Sequence, residues 1–271
     1  MPKHRLCLAR VALLTVAVAL GSARATWGES GIVLPYPSEF GSYKAHTYDE
    51  AGRRIADAEL VIEQRARGIV YMYVRGGAMD GARNEAHAEL GPIEGKPGLR
   101  LLREQSHSHD PDGYSFGILR VDHVRGEASC TPPGDPTGPP KVVPLPDDDR
   151  VVNVPLNLFF APLARGEVET LSFQIFLCRG GPRRVDFDAR RSPELRLLDD
   201  RAVIEVTYGP RLNRMLRWLA RGFTPNLAFW FDAADGSTYL AHRLPLYSKG
   251  PEVVIAREGV SVQSLSVSSG P

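Results

Sequence analysis

The stretch NLAFWFDAADGSTYLAHRLPLYSKGPEVVIARE, residues 226–258, decides the reading of the fold. Three runs of strand-forming residues are separated by clusters bearing Asp, Gly, Ser and Pro, which is the pattern of an antiparallel meander. At a period of two, Leu227, Phe229 and Phe231 share one face, and Ala228 and Trp230 take the other. Beyond Asn226 neither face is polar. An antiparallel strand of this kind needs cover on both sides, from a second layer, a helix, a ligand or a lipid.

Working outward, the same double-sided apolarity returns at residues 68–75, where Ile69, Tyr71 and Tyr73 oppose Val70, Met72 and Val74. Residues 168–177 alternate Leu171, Phe173, Ile175 and Leu177, and further strands read at 43–48, 58–64, 99–105, 114–124, 183–189 and 202–208. Two helices interrupt them. One runs over 154–165, with Asn153 as its cap, Pro155 in its first turn and Gly166 as its stop. Its Leu156, Phe159, Phe160 and Leu163 fall at helical spacing and offer cover for one sheet face. The other, over 210–220 and closed by Gly222, sets Leu212, Met215, Leu216 and Leu219 against Arg211, Arg214, Arg217 and Trp218. That basic face reads as solvated, or as a contact for an anionic membrane surface. The fold class predicted is mainly β: a curved antiparallel sheet or half-barrel with two short helices packed on it.

The N-terminus carries Lys3, Arg5 and Arg10, an apolar run over 11–21, and Ser22-Ala23-Arg24-Ala25. This is the pattern of a secretory signal peptide, residues 1–25, cut after Ala25. The apolar run is about half of the roughly 20 residues a membrane span requires. Cleavage takes four of the 33 basic residues and none of the 32 acidic ones, leaving a net charge of −3. No global basic field points to nucleic acid. Export to the periplasm or beyond suits the cysteines: Cys7 lies in the signal, and Cys130 and Cys178 read most simply as a disulfide. Residues 26–271 read as a single mainly-β domain. Residues 131–146 hold seven prolines and read as a solvated excursion kept out of any ladder.

Candidate chemistry is sparse. Gly113-Tyr114-Ser115-Phe116-Gly117 matches the G-x-S-x-G pattern of serine hydrolases, but the residues after it are strand-like where the nucleophile elbow requires a helix. His107 and His109, two apart in a predicted loop, are spaced to share a metal, yet Pro111 stands where the metallo-hydrolase pattern places Asp. Asp232 to Gly236 reads as a hairpin turn rather than a calcium loop. No catalytic residue, metal or cofactor is assigned.

The pieces 154–166 and 227–246, with Phe229-Trp230-Phe231-Asp232 leading to Asp235, Leu244-Pro245-Leu246 and then Lys249-Gly250, resemble a bacterial exported family catalogued as domain of unknown function 3108. The resemblance implies a curved antiparallel sheet like the half-barrels that carry lipids or lipoproteins across the periplasm. It supplies no catalytic residues. The functional expectation is an exported protein that binds an apolar, lipid-like ligand or an envelope partner on its curved sheet, with Phe229, Trp230, Phe231, Tyr71 and Tyr73 as ligand-binding residues. The alternatives are an exported hydrolase using Ser115 or a His107/His109 metal, and a purely structural envelope protein.

Overall fold

A computed structural model describes residues 31–77, 81–146, 150–178, 181–198, 201–212, 227–247 and 250–262. The first meander comprises β1 (Gly41–Tyr48), β2 (Arg54–Gln64), β3 (Val70–Gly77), β4 (Arg83–Pro92), β5 (Leu99–His109), β6 (Ser115–Asp122), β7 (Glu127–Cys130) and β8 (Lys141–Pro144). Helix α1 (Leu156–Ala164) leads to the second: β9 (Thr170–Cys178), β10 (Pro182–Arg191), β11 (Arg196–Leu198), β12 (Arg201–Pro210), β13 (Leu227–Asp232), β14 (Tyr239–Pro245) and β15 (Glu252–Arg257). β1 pairs antiparallel with β15, so the two meanders form one sheet in the order 8-7-6-5-4-3-2-1-15-14-13-12-10-9, with β11 added alongside β12. The predicted signal peptide, and the predicted second helix beyond Leu212, lie outside the described residues. Pro210, expected to open that helix, is instead the last residue of β12, opposite Phe187.

The sheet curls but is not closed by hydrogen bonds; β8 and β9 are its free ends. The gap between them is bridged in three ways. Cys130 on β7 and Cys178 on β9 form a disulfide with Cα atoms 5.6 Å apart. Residues 150–152 run parallel to β9, with Val152 N–H donating to the Gln174 carbonyl at 2.9 Å and Gln174 N–H to that of Arg150 at 2.8 Å. Leu119, Val121, Ala128, Val151 and Phe176 bury a small apolar core along this seam. Gly117 sits at φ +91°, where a Cβ would lie 2.5 Å from the Thr131 carbonyl oxygen and 3.0 Å from the Cys178 sulfur, so the seam strands approach this closely only over glycine.

Beyond Val152 the chain turns inward on a buried carboxylate. Glu104 of β5 accepts the backbone N–H groups of Asn153 at 2.5 Å and Val154 at 2.6 Å on one oxygen, and pairs with His123 Nε2 at 2.7 Å on the other. The Asn153 side chain does not cap the helix; Pro155 is the N-cap residue and no side chain caps it. The Asn153 amide instead donates to the Phe176 carbonyl at 2.7 Å and accepts the Phe176 N–H at 3.1 Å, so it extends the pairing of β9 by one position. Gly166 does stop the helix as predicted. Its N–H bonds to the Leu163 carbonyl and that of Glu167 to the Pro162 carbonyl, a Schellman motif with glycine at φ +74°.

Apart from Asn157 in its first turn the helix so delivered is apolar, and all of it from Leu158 to Ala164 is buried. It lies between the two meanders inside the curl. Phe160, with no exposed surface, places its ring 5.6 Å from Phe173, 5.2 Å from Tyr208 and 5.3 Å from Phe229. The double-sided apolarity of β13 is accounted for in full. Leu227, Phe229 and Phe231 face this interior, while Ala228 and Trp230 join Val203, Leu240 and Val254 in a second core on the opposite face.

Three further parts of the sheet depart from the sequence reading. Residues 141–144, within the proline-rich excursion, do enter the sheet as edge strand β8, because Lys141, Val142 and Val143 keep their N–H groups and Pro144 falls at the strand end. The supposed loop at 106–109 is the end of β5. β4, unassigned from the sequence, pairs along its whole length with β3 and β5.

Glu104→Leu, which strands two buried N–H groups and His123, is expected to lower the unfolding free energy by roughly 2–4 kcal/mol, read as a shift of the urea midpoint at unchanged slope. A loss under about 0.5 kcal/mol would mean that apolar packing alone places the helix. The double substitution Cys130→Ala, Cys178→Ala frees a link spanning 48 residues and is expected to cost roughly 3–4 kcal/mol in the same assay.

Candidate functional site

The curl is not filled by its own side chains. α1 fills part of the interior, and next to its N-terminal residues 154–157 a cavity of about 730 Å³ remains. Its existence follows from residue size. Along β1, β4, β5 and β6 the lining is mostly small, with Ala45, Asn84, Ala86, Ser106, Ser108 and Gly117 beside the larger His107, Phe116 and Leu119. The opposite wall is apolar and mostly aromatic: Ile175, Phe187, Tyr208, Leu227, Phe229 and Tyr239. Phe116 of β6 and Tyr247, just past β14, stack across the curl with ring centroids 5.6 Å apart and planes within 15°. Both line the cavity.

Polar groups are few and specifically placed. His242 on β14 is paired with Phe229 across the ladder and stacks on it, with ring centroids 5.1 Å apart and planes within 14°. Its Nδ1 is hydrogen-bonded to the buried Tyr239 hydroxyl, whose next neighbour is the Ile255 carbonyl at 3.3 Å. Burial holds the His242 imidazole well below the ordinary histidine range, at about 4. It is therefore neutral at neutral pH, with one ring proton. Burial likewise pushes the Tyr239 and Tyr208 hydroxyls up, so both stay protonated. Tyr208 is partly buried and lines the cavity.

Of the five residues expected to bind a ligand, the structure brings one to the cavity. Phe229 lines it. Phe231, with no exposed surface, is packed into the core around α1. Trp230 points to the opposite face, where its Nε1–H donates to Glu205 at 2.9 Å. Tyr71 and Tyr73 lie on the side of β3 away from Val70 and Met72; Tyr71 bonds His87 Nδ1 at 2.5 Å under the Arg65 guanidinium, and Tyr73 packs on the same imidazole. The sequence reading missed His242, Tyr208 and the small residues of β4 and β5. A cavity made by small side chains leaves only the Ala/Ser/Asn alternation of residues 84–88 and 106–108 as its trace.

The hydrolase candidates take the following positions. Ser115 opens β6, is buried, and is hydrogen-bonded to His107 Nε2 at 2.8 Å while accepting the Gly117 N–H at 3.1 Å. A strand follows it, not a helix, and among the described residues no carboxylate hydrogen-bonds His107. His107 and His109 have ring centroids 4.0 Å apart, and among the described residues no three His, Cys, Asp or Glu side chains form a metal-ligand group. At 232–238 the Asp232 and Asp235 carboxylates accept the backbone N–H groups of Ala234, Ser237 and Thr238, which makes the segment a hairpin turn. Among the described residues no helix is long and apolar enough to cross a membrane.

These features define a class: a curled antiparallel β protein, its open seam held by a disulfide, with one helix and a cavity inside. No family model matches the chain, so the resemblance to domain of unknown function 3108 rests on pattern alone. No curated protein matches it either. Among solved structures, the crystal structure of a beta-barrel-like protein of domain of unknown function DUF1849 from Brucella abortus aligns with 83% of this chain and 97% of its own, at 10% identity and a TM-score of 0.37.

His242 is neutral in the fold and protonated below about 6.5 in the unfolded chain, so the unfolded state binds the extra proton between pH 6.5 and 4. Stability from this group is present above pH 6.5 and lost as pH falls toward 4, by up to roughly 3 kcal/mol. His242→Phe should remove that part of the slope in urea titrations at pH 7 and 4.5. An unchanged slope would mean the imidazole is solvated.

Proposed function

We propose that the protein is exported to the periplasm and holds an apolar, lipid-like ligand inside its curled sheet. The observation that carries this reading is the cavity. Its volume of about 730 Å³ lies within the roughly 300–1,000 Å³ of small-molecule sites, and aromatic and aliphatic side chains form one whole wall. A sheet of this kind could have filled its interior with larger side chains on β4 and β5. Small residues there, opposite a wall of rings, leave apolar surface that a hydrocarbon chain would bury at about 25 cal/mol per Å². The disulfide suits an oxidising compartment and supports the export reading taken from residues 1–25.

The test is uptake of an uncharged apolar dye, N-phenyl-1-naphthylamine, by protein stripped of bound lipid. Stoichiometric binding is expected. Ala86→Phe, which places a ring in the cavity without disturbing the core around α1, should weaken binding roughly tenfold. No dye uptake by the unmodified protein, or full uptake by Ala86→Phe, would set the reading aside.

A further inference from the structure

We propose that the cavity selects an acyl compound with an uncharged head, an ester or amide bearing hydroxyls, whose polar atoms meet His242 Nε2 and the Tyr208 hydroxyl on either side of Phe229. This deepens, and rests on, the reading of the cavity as an apolar-ligand site.

The Tyr239 hydroxyl meets both His242 Nδ1 and the Ile255 carbonyl, and its one proton satisfies both when it donates to the Ile255 carbonyl and accepts Nδ1–H. The single proton of the neutral imidazole then sits on Nδ1, and Nε2 carries a free lone pair. His242 is only 8% exposed, lines the cavity, and among the described residues makes no hydrogen bond through Nε2. Nε2 is thus one polar contact point open to the cavity. Tyr208 offers a second. No hydrogen bond among the described residues engages its hydroxyl, and it borders the same space. The two rings flank one phenyl group, Tyr208 at 5.8 Å and His242 at 5.1 Å from the Phe229 centroid, on β12, β13 and β14 in succession.

Charge then restricts the head group. Both groups are neutral. Among the described residues lining the cavity there is no Lys or Arg, whereas Glu59 and Glu252 are present. A carboxylate or phosphate would lose its hydration beside like charges, which carbonyl oxygens of an ester or amide avoid. The small polar side chains Asn84, Ser106 and Ser108 on the facing strands suit hydroxyls of such a head.

The experiment is displacement of bound N-phenyl-1-naphthylamine from the mature protein at pH 7.5 by 1-monopalmitoylglycerol, palmitate and hexadecane. The ester is expected to displace the dye at roughly tenfold lower concentration than either competitor. Tyr208→Phe and His242→Phe should each erase most of that preference, read as the ratio of ester to hexadecane displacement within the same variant. The first removes one oxygen atom only and guards against a failure of the second to fold. Equal displacement by palmitate, or a preference unchanged in Tyr208→Phe, overturns the assignment of the head group and leaves the apolar-ligand reading standing. Failure of the dye to bind at all overturns both.

Discussion

The Glu104 carboxylate, buried on β5 and bonded to the backbone of the chain that enters α1, is the contact on which the interior depends. The hydrogen-bonded ladder runs out at β8 and β9, so pairing alone cannot fix how far the sheet curls. An open edge beside buried N–H groups is costly unless something accepts them. Glu104 accepts two at once, and His123 supports its other oxygen. The Asn153 side chain, reaching the opposite way, pairs with β9. One residue pair thus ties the first meander to the second across the gap. The disulfide makes the same link covalently between β7 and β9.

With the chain held there, the helix has one place to go. Its apolar circumference is satisfied only inside the curl, where Phe160 meets Phe173, Tyr208 and Phe229. The helix is short, and the walls beside its first residues are built from Ala, Ser, Asn and Gly on one side. Space remains there because those side chains are too small to meet the aromatic wall. The aromatic wall is stiffened from behind: Trp230, next to Phe229 on the same strand, is fixed on the other face by Glu205, which Arg196 and Ser192 also contact at 3.2 and 3.1 Å. The position of Phe229, and with it those of Tyr208 and His242, is therefore set by cores on both faces of the sheet.

Much of this was legible in residues 226–258, where apolar residues on both faces required cover on both, and the structure supplies α1 on one and a second core on the other. The curved antiparallel sheet, the helix before β9 and the Cys130–Cys178 link were readable for similar reasons. What escaped reading has physical causes. β4 is built from Ala, Glu, Asn and His, residues with weak strand preference that pair because both neighbours are in place. Asn153 carries the chemistry of a helix cap but is used as a surrogate for backbone pairing. Tyr71 and Tyr73 face away from the cavity because the face of an individual strand cannot be assigned when both are apolar. His242 looks unexceptional in sequence, since its significance lies in the unpaired nitrogen and the ring beneath it.

The central claim, that this interior is built to hold an apolar molecule, is tested most directly by native mass spectrometry of the protein purified from the periplasm, followed by denaturing extraction. The account predicts a one-to-one adduct that survives in the folded protein and is released on unfolding as an acyl compound. A bare polypeptide mass that gains no adduct even after incubation with a total lipid extract would contradict it.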